Sequence, residues 1–121
     1  MIFNNGKPIY VQMAERLCDE IVSGIYGPNS RIPSVKEYAV TLEVKSNTAV
    51  KADDLLAREN IVYKKRGLGY FVSEQAKEAI ITARKKNFLE GTLPELFRQM
   101  KLLNIDIRDI EDEWIKRKND F

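Results

Sequence analysis

Three short blocks follow one another between Arg31 and Val72, and their order leaves few folds open to the chain. They read Arg31-Ile32-Pro33-Ser34-Val35-Lys36-Glu37-Tyr38-Ala39, then Val44-Lys45-Ser46-Asn47-Thr48-Ala49-Val50-Lys51, then Tyr63-Lys64-Lys65-Arg66-Gly67-Leu68-Gly69-Tyr70-Phe71-Val72. Pro33 disfavours helix at Ile32 and suits the position just ahead of a helix start. Ser34 with Glu37 makes a capping box, in which each side chain satisfies an orphan backbone N–H. Val35, Tyr38, Ala39 and Leu42 then recur at helical spacing. Glu43-Val44-Lys45 forms the turn. Ser46 or Lys45 opens the next helix, and Ser46 is the better cap by side chain. That helix sets Ala49, Ala52 and Leu56 on one face and Asn47, Thr48 and Lys51 on another. Asn60 ends it, because Asn tolerates the left-handed conformation. Ile61-Val62-Tyr63 and Tyr70-Phe71-Val72 read as strands around a basic, glycine-containing tip. Helix, turn, helix, hairpin is the order of a winged helix-turn-helix, which offers one helix and one hairpin to DNA.

The rest of the chain supports this centre. Residues 1–7 read as a flexible start. Residues 8–23 read as a first helix, with Pro8 at its beginning, Gly24 at its end, and Ile9, Tyr10, Met13, Leu17 and Ile21 along one stripe. After Ser73 the pattern is helical to the end. One helix covers Glu74 to Glu90, and Gly91-Thr92-Leu93-Pro94-Glu95 breaks it, with Thr92 and Glu95 as a second capping box. An apolar helix follows until Asn104, and a last one starts at Asp106. The predicted fold is mostly α with a small β-hairpin. Residues 1–75 form the winged helix-turn-helix DNA-binding domain, and residues 76–121 a short α-helical dimerisation tail.

That tail carries the row Leu96, Phe97, Met100, Leu103, Ile107, Ile110 and Trp114. It is too short to enclose a large core of its own, so the row needs a partner surface. The economical partner is the same segment of a second chain across a two-fold axis; folding back on the winged domain is the other option.

Composition removes several function classes. Among the 121 residues there is no His and a single Cys, Cys18. Ser-His-Asp triads, Cys-His dyads and the usual zinc clusters are excluded, and so is an intramolecular disulfide. Cys18 lies among Met13, Ala14, Leu17, Ile21 and Val22 and reads as a small buried hydrophobe. The carboxylates are scattered with no catalytic pairing, so no enzyme, metal or cofactor is expected. No apolar run approaches the roughly 18 residues of a membrane span, and no signal-peptide pattern opens the chain, which points to the cytoplasm. The net charge is only +2, so the DNA argument rests on where charges sit. Lys36, Lys45, Lys51, Lys64, Lys65 and Arg66 cluster in the reading elements.

The candidate DNA-contacting residues are Arg31, Ser34, Lys36, Lys45, Ser46, Asn47, Thr48, Lys51, Lys65, Arg66, Gly67 and Gly69. Asn47 can pair bidentately with adenine, and Lys51 can reach guanine or phosphate. Thr48 suits a phosphate or the backbone. Arg31, Ser34 and Lys36 lie where a helix N-terminus also attracts anions. The two glycines let the wing tip approach DNA without Cβ clashes, and Arg66 beside them suits a narrow minor groove.

On these residues the chain resembles the GntR family of bacterial transcription regulators. The matching pattern is Arg-x-Pro-Ser-x-basic-Glu-x-Ala, then Val-x-x-Asn-Thr-x-Val-Lys-Ala, then a basic-Gly-x-Gly-aromatic-Phe-Val wing. Pro8-Ile9-Tyr10-x-Gln12 and the short tail resemble the YtrA-type subfamily. Glu43 stands where the family usually has a turn Gly, Lys36 where it has Arg, and Asp53 where an aromatic is common. The resemblance implies a homodimeric, sequence-specific regulator, expected to be a repressor, on a pseudo-palindromic double-stranded operator. The other class considered is a winged-helix module that binds protein and not DNA. A small-molecule effector is not evident in the sequence.

Overall fold

A computed structural model describes residues 6–121; residues 1–5, on which the expectation of a flexible start mostly falls, lie outside the described residues. The chain divides into two compact units, residues 1–82 and 83–121.

In the first unit, helix α1 (Ile9–Val22) follows Pro8. It ends in a Schellman motif: Gly24 sits at φ +90°, its N–H donates to the Ile21 carbonyl, and the Ile25 N–H donates to the Glu20 carbonyl. Met13, Ala14, Leu17, Cys18 and Ile21 are buried. Ile9, placed on that stripe from sequence, is 45% exposed, because the helix begins before its core contact does. Helix α2 (Val35–Leu42) has the full capping box, with Ser34 Oγ accepting from the Glu37 N–H and the Glu37 carboxylate accepting from the Ser34 N–H. It closes on Glu43, a non-glycine residue at φ +57°.

Helix α3 (Ser46–Arg58) starts one residue earlier than the better side-chain cap would place it. Lys45, in extended conformation, holds the N-cap position and makes no capping bond. The turn dictates this. Glu43 reverses the chain, Val44 is half-buried against the core, and only Lys45 remains before the helix. Ala49, Ala52 and Leu56 face the core, as their spacing predicts.

Strands β1 (Val62–Lys65) and β2 (Gly69–Val72) pair antiparallel, with Val62 opposite Val72 and Lys65 opposite Gly69. One core cluster joins α1, α2, α3 and both strands. It continues past the hairpin into helix α4 (Ala76–Asn87) through Ala76 and Ile80, both buried.

The second unit opens within α4. A π-helical turn (Phe88–Thr92) runs from it into helix α5 (Leu93–Leu103), so the break expected at Gly91 to Glu95 does not occur. Thr92 is helical and caps nothing, and Glu95 instead accepts two bonds from Arg98, at 2.6 and 2.9 Å. Pro94 explains the wide turn. A proline has no N–H to donate and its ring crowds the preceding turn, and the Leu93 N–H bonds back to the Phe88 carbonyl five residues earlier. Asn104 ends α5 at φ +60°. Asp106 then caps helix α6 (Ile107–Arg117) reciprocally with Asp109.

Candidate nucleic-acid interface

The candidate residues come from three places in the first unit: the N-terminal end of α2, the N-terminal half of α3, and the wing. Ser34 is committed to its cap and is only half-buried, while Lys36 beside it is exposed. On α3, Lys45, Ser46, Asn47 and Lys51 are exposed and Thr48 is half-buried. The two helices differ at their starts. On α2 the Glu37 N–H is taken by the Ser34 hydroxyl, whereas on α3 no side chain caps and the Thr48 N–H donates to the Lys45 carbonyl at 3.0 Å. The α3 start presents the Ser46 and Asn47 N–H groups and the positive end of its dipole alongside Lys45 and Lys51.

The wing is built from alternating side chains. Tyr63 and Phe71 lie opposite each other and stack, with ring centroids 6.0 Å apart. The Lys65 ammonium sits 4.4 Å from the Phe71 ring centroid, and Lys64 reaches over Tyr70 at 5.9 Å. These cation–π contacts hold the lysine stems along the hairpin without neutralising them. Arg66, Gly67 and Leu68 form an exposed tip. Gly67 and Gly69 adopt φ of +79° and +105°, which side-chain-bearing residues avoid. Side-chain bonds help tie the wing to the body: the Tyr63 hydroxyl donates to Asn29 Oδ1 at 3.0 Å, Arg31 Nε donates to the Leu68 carbonyl at 3.1 Å, and the Tyr70 hydroxyl donates to Asp54 Oδ1 at 3.5 Å.

Sequence reasoning missed two features. The Arg31–Leu68 bond joins residues 37 positions apart, and no local pattern announces it. Asp53 is buried, 4% exposed, on the core side of α3. Its spacing from Ala49 and Leu56 could have revealed this, since i+4 and i−3 share a helix face. Burial, then the neighbouring Asp54 charge, pushes its carboxyl up to about 6. Burial together with Asp54 also raises the Tyr70 phenol. Among the described residues no cluster of side chains could hold a metal ion, and no helix is long and apolar enough to cross a membrane.

In the second unit, Met100 is buried and Ile110 half-buried. The rest of the expected apolar row is open: Phe97 is 49%, Leu103 66% and Trp114 59% exposed, with Leu96 and Ile107 also exposed. Phe88, Leu89, Leu102 and Ile115 add to it.

A capped helix, a tight turn, an open-ended second helix and a basic hairpin define the winged helix-turn-helix class of DNA-binding domain. The family model described as bacterial regulatory proteins, gntR family, matches residues 9–72, and the chain belongs to that family. It is therefore a transcription regulator and not an enzyme. It is 31% identical to the HTH-type transcriptional repressor YtrA of Bacillus subtilis, over 93% of this chain and 85% of that protein. The likeness within the family is thus to the YtrA type. A putative GntR-family regulator from Bacteroides thetaiotaomicron has a crystal structure 41% identical in sequence, with a TM-score of 0.78 over 92% of this chain and 99% of that one. The DNA-binding domain of AraR, solved in complex with operator ORR3, is 27% identical with a TM-score of 0.55, covering 60% of this chain and 88% of that one.

Proposed function

We propose that this regulator acts as a cytoplasmic homodimer on a pseudo-palindromic operator, as a repressor, with α3 reading the major groove and the wing tip entering the minor groove. The observation that carries the reading is the uncapped α3 start, where exposed Lys45, Ser46, Asn47 and Lys51 surround open backbone donors. A helix end of this kind binds phosphate while its first side chains reach base edges. The basic wing tip supplies further phosphate contact. The operator complex of the AraR domain and the repressor name of YtrA support the same direction. The exposed apolar face of α5 and α6 supports the dimer, since so much open apolar surface calls for a partner.

Anisotropy titration on DNA from the region upstream of the protein's own gene tests the reading. Affinity should fall on the order of a hundredfold or more between 50 and 200 mM salt, as displaced counterions return. Asn47→Ala should lose roughly 1–3 kcal/mol on the preferred sequence and flatten the preference. Arg66→Ala should weaken all sequences alike and lower the salt slope. Salt-insensitive binding, or two variants indistinguishable from wild type, would point to a protein-binding module instead.

A further inference from the structure

The wing is fastened at its base and nearly free at its tip. At the base, residues 29–32 run beside β2 and join it through an isolated bridge. The Asn29 N–H donates to the Val72 carbonyl at 2.8 Å, the Val72 N–H to Ser30 at 2.9 Å, and the Ile32 N–H to Tyr70 at 3.0 Å, with Arg31 opposite Phe71. Beyond the Lys65–Gly69 pair the loop has one internal backbone bond, from the Leu68 N–H to the Lys65 carbonyl. A two-stranded hairpin has little stability of its own. Among the described residues, the one side-chain hydrogen bond that reaches this tip is from Arg31 Nε to the Leu68 carbonyl.

Gly69 is shaped to that contact. A Cβ on it would stand 3.3 Å from Arg31 Nε and 3.9 Å from Nη2, at a φ of +105°. The Arg31 terminal nitrogens make no hydrogen bond to a described residue, and the side chain is exposed. A guanidinium carries five donors in a rigid fork, so it can hold a carbonyl through one edge and a phosphate through another. An ammonium on a flexible stem lacks that fixed division.

We propose that Arg31 is a positioning residue: its Nε fixes the wing tip, and its terminal nitrogens take a DNA phosphate in the same act. Wing placement and DNA engagement then share one guanidinium. This rests on the DNA-binding reading above, but its first half is a property of the protein without DNA.

Arg31→Lys separates the two halves, because it keeps the charge and loses the Nε donor. In the free full-length protein, ¹⁵N relaxation should show lower order parameters at Gly67, Leu68 and Gly69, with the base of the wing unchanged. On DNA, affinity should fall about tenfold, the scale of one charge-assisted hydrogen bond, with the salt slope retained. Gly69→Ala should loosen the same amides, and combining it with Arg31→Lys should add little. A tip as rigid in Arg31→Lys as in wild type overturns the positioning role. A loosened tip with wild-type affinity overturns the coupling to DNA. If wild-type protein binds no DNA, the regulator reading falls, while the relaxation data still decide whether Arg31 holds the tip.

Discussion

Asp53 is where a single residue works against its surroundings. A carboxylate inside a helix packed on the core must shed water, and Asp54 next to it adds like charge. The sign follows from the direction of the shift. The folded-state value of about 6 lies above the ordinary 3.8, so the folded protein holds this proton more tightly than the unfolded chain. The associated penalty is absent below about pH 4, grows as pH rises through the interval, and is complete above about pH 6. Asp53→Asn should therefore raise stability at neutral pH by on the order of 1 kcal/mol, after discounting for solvent screening. Urea unfolding at about pH 4.5 and 7.5 checks it. The variant should gain mainly at the higher pH, and an equal gain at both would assign the effect to packing. The site's chemistry was partly legible here. The polar face of α3 and the basic tip are readable because exposed side chains need only the helix or strand period to be placed. Asp53 was not, because a charged residue reads as surface until its two core-facing neighbours are counted with it.

At the scale of elements, local patterns were legible where the decisive partners are local. Ser34–Glu37, Gly24, Asn60 and Asn104 each act within five residues, and each caps or turns as its type dictates. Thr92–Glu95 carries the same kind of box and forms none. A box needs an extended residue at the cap, and α4 arrives there already helical, with the π turn accommodating Pro94. Side-chain preference at the α3 start likewise yielded to the length of the preceding turn. That turn holds a testable cost. Glu43 sits at φ +57°, a conformation that disfavours residues with a Cβ and suits glycine. Glu43→Gly should stabilise the protein by about 1 kcal/mol. Thermal unfolding should rise by a few degrees, and a fall would mean that Glu43 makes a compensating contact in solution.

At the scale of the molecule, the core of the first unit extends to Ile80, five residues beyond the boundary drawn from sequence. The strand signal stops at Ser73, and nothing in the local pattern tells that the next helix begins by finishing the same core. Ending the chain after Gln75 would remove Ala76 and Ile80 from it, so a truncation that leaves a sound winged domain should fall at Thr82. Our reading makes that fragment monomeric, since the open apolar row lies in residues 88–115. Phe97→Asp in the full chain should act the same way by setting a charge in the interface. Sedimentation should show dimeric wild type at micromolar concentration and monomeric variant. A monomeric wild type, or a variant that still dimerises, would remove this face from assembly.

Hydroxyl-radical footprinting of the full-length protein on its bound DNA tests the central claim most directly, because it reads DNA contact, symmetry and spacing together. A two-fold dimer places its two reading helices about one helical turn apart, roughly 10 base pairs or a multiple. The account predicts two protected patches related by two-fold symmetry at that spacing, both lost with Phe97→Asp at concentrations where wild type protects them. One asymmetric patch, or protection that survives in the monomeric variant unchanged, would contradict it.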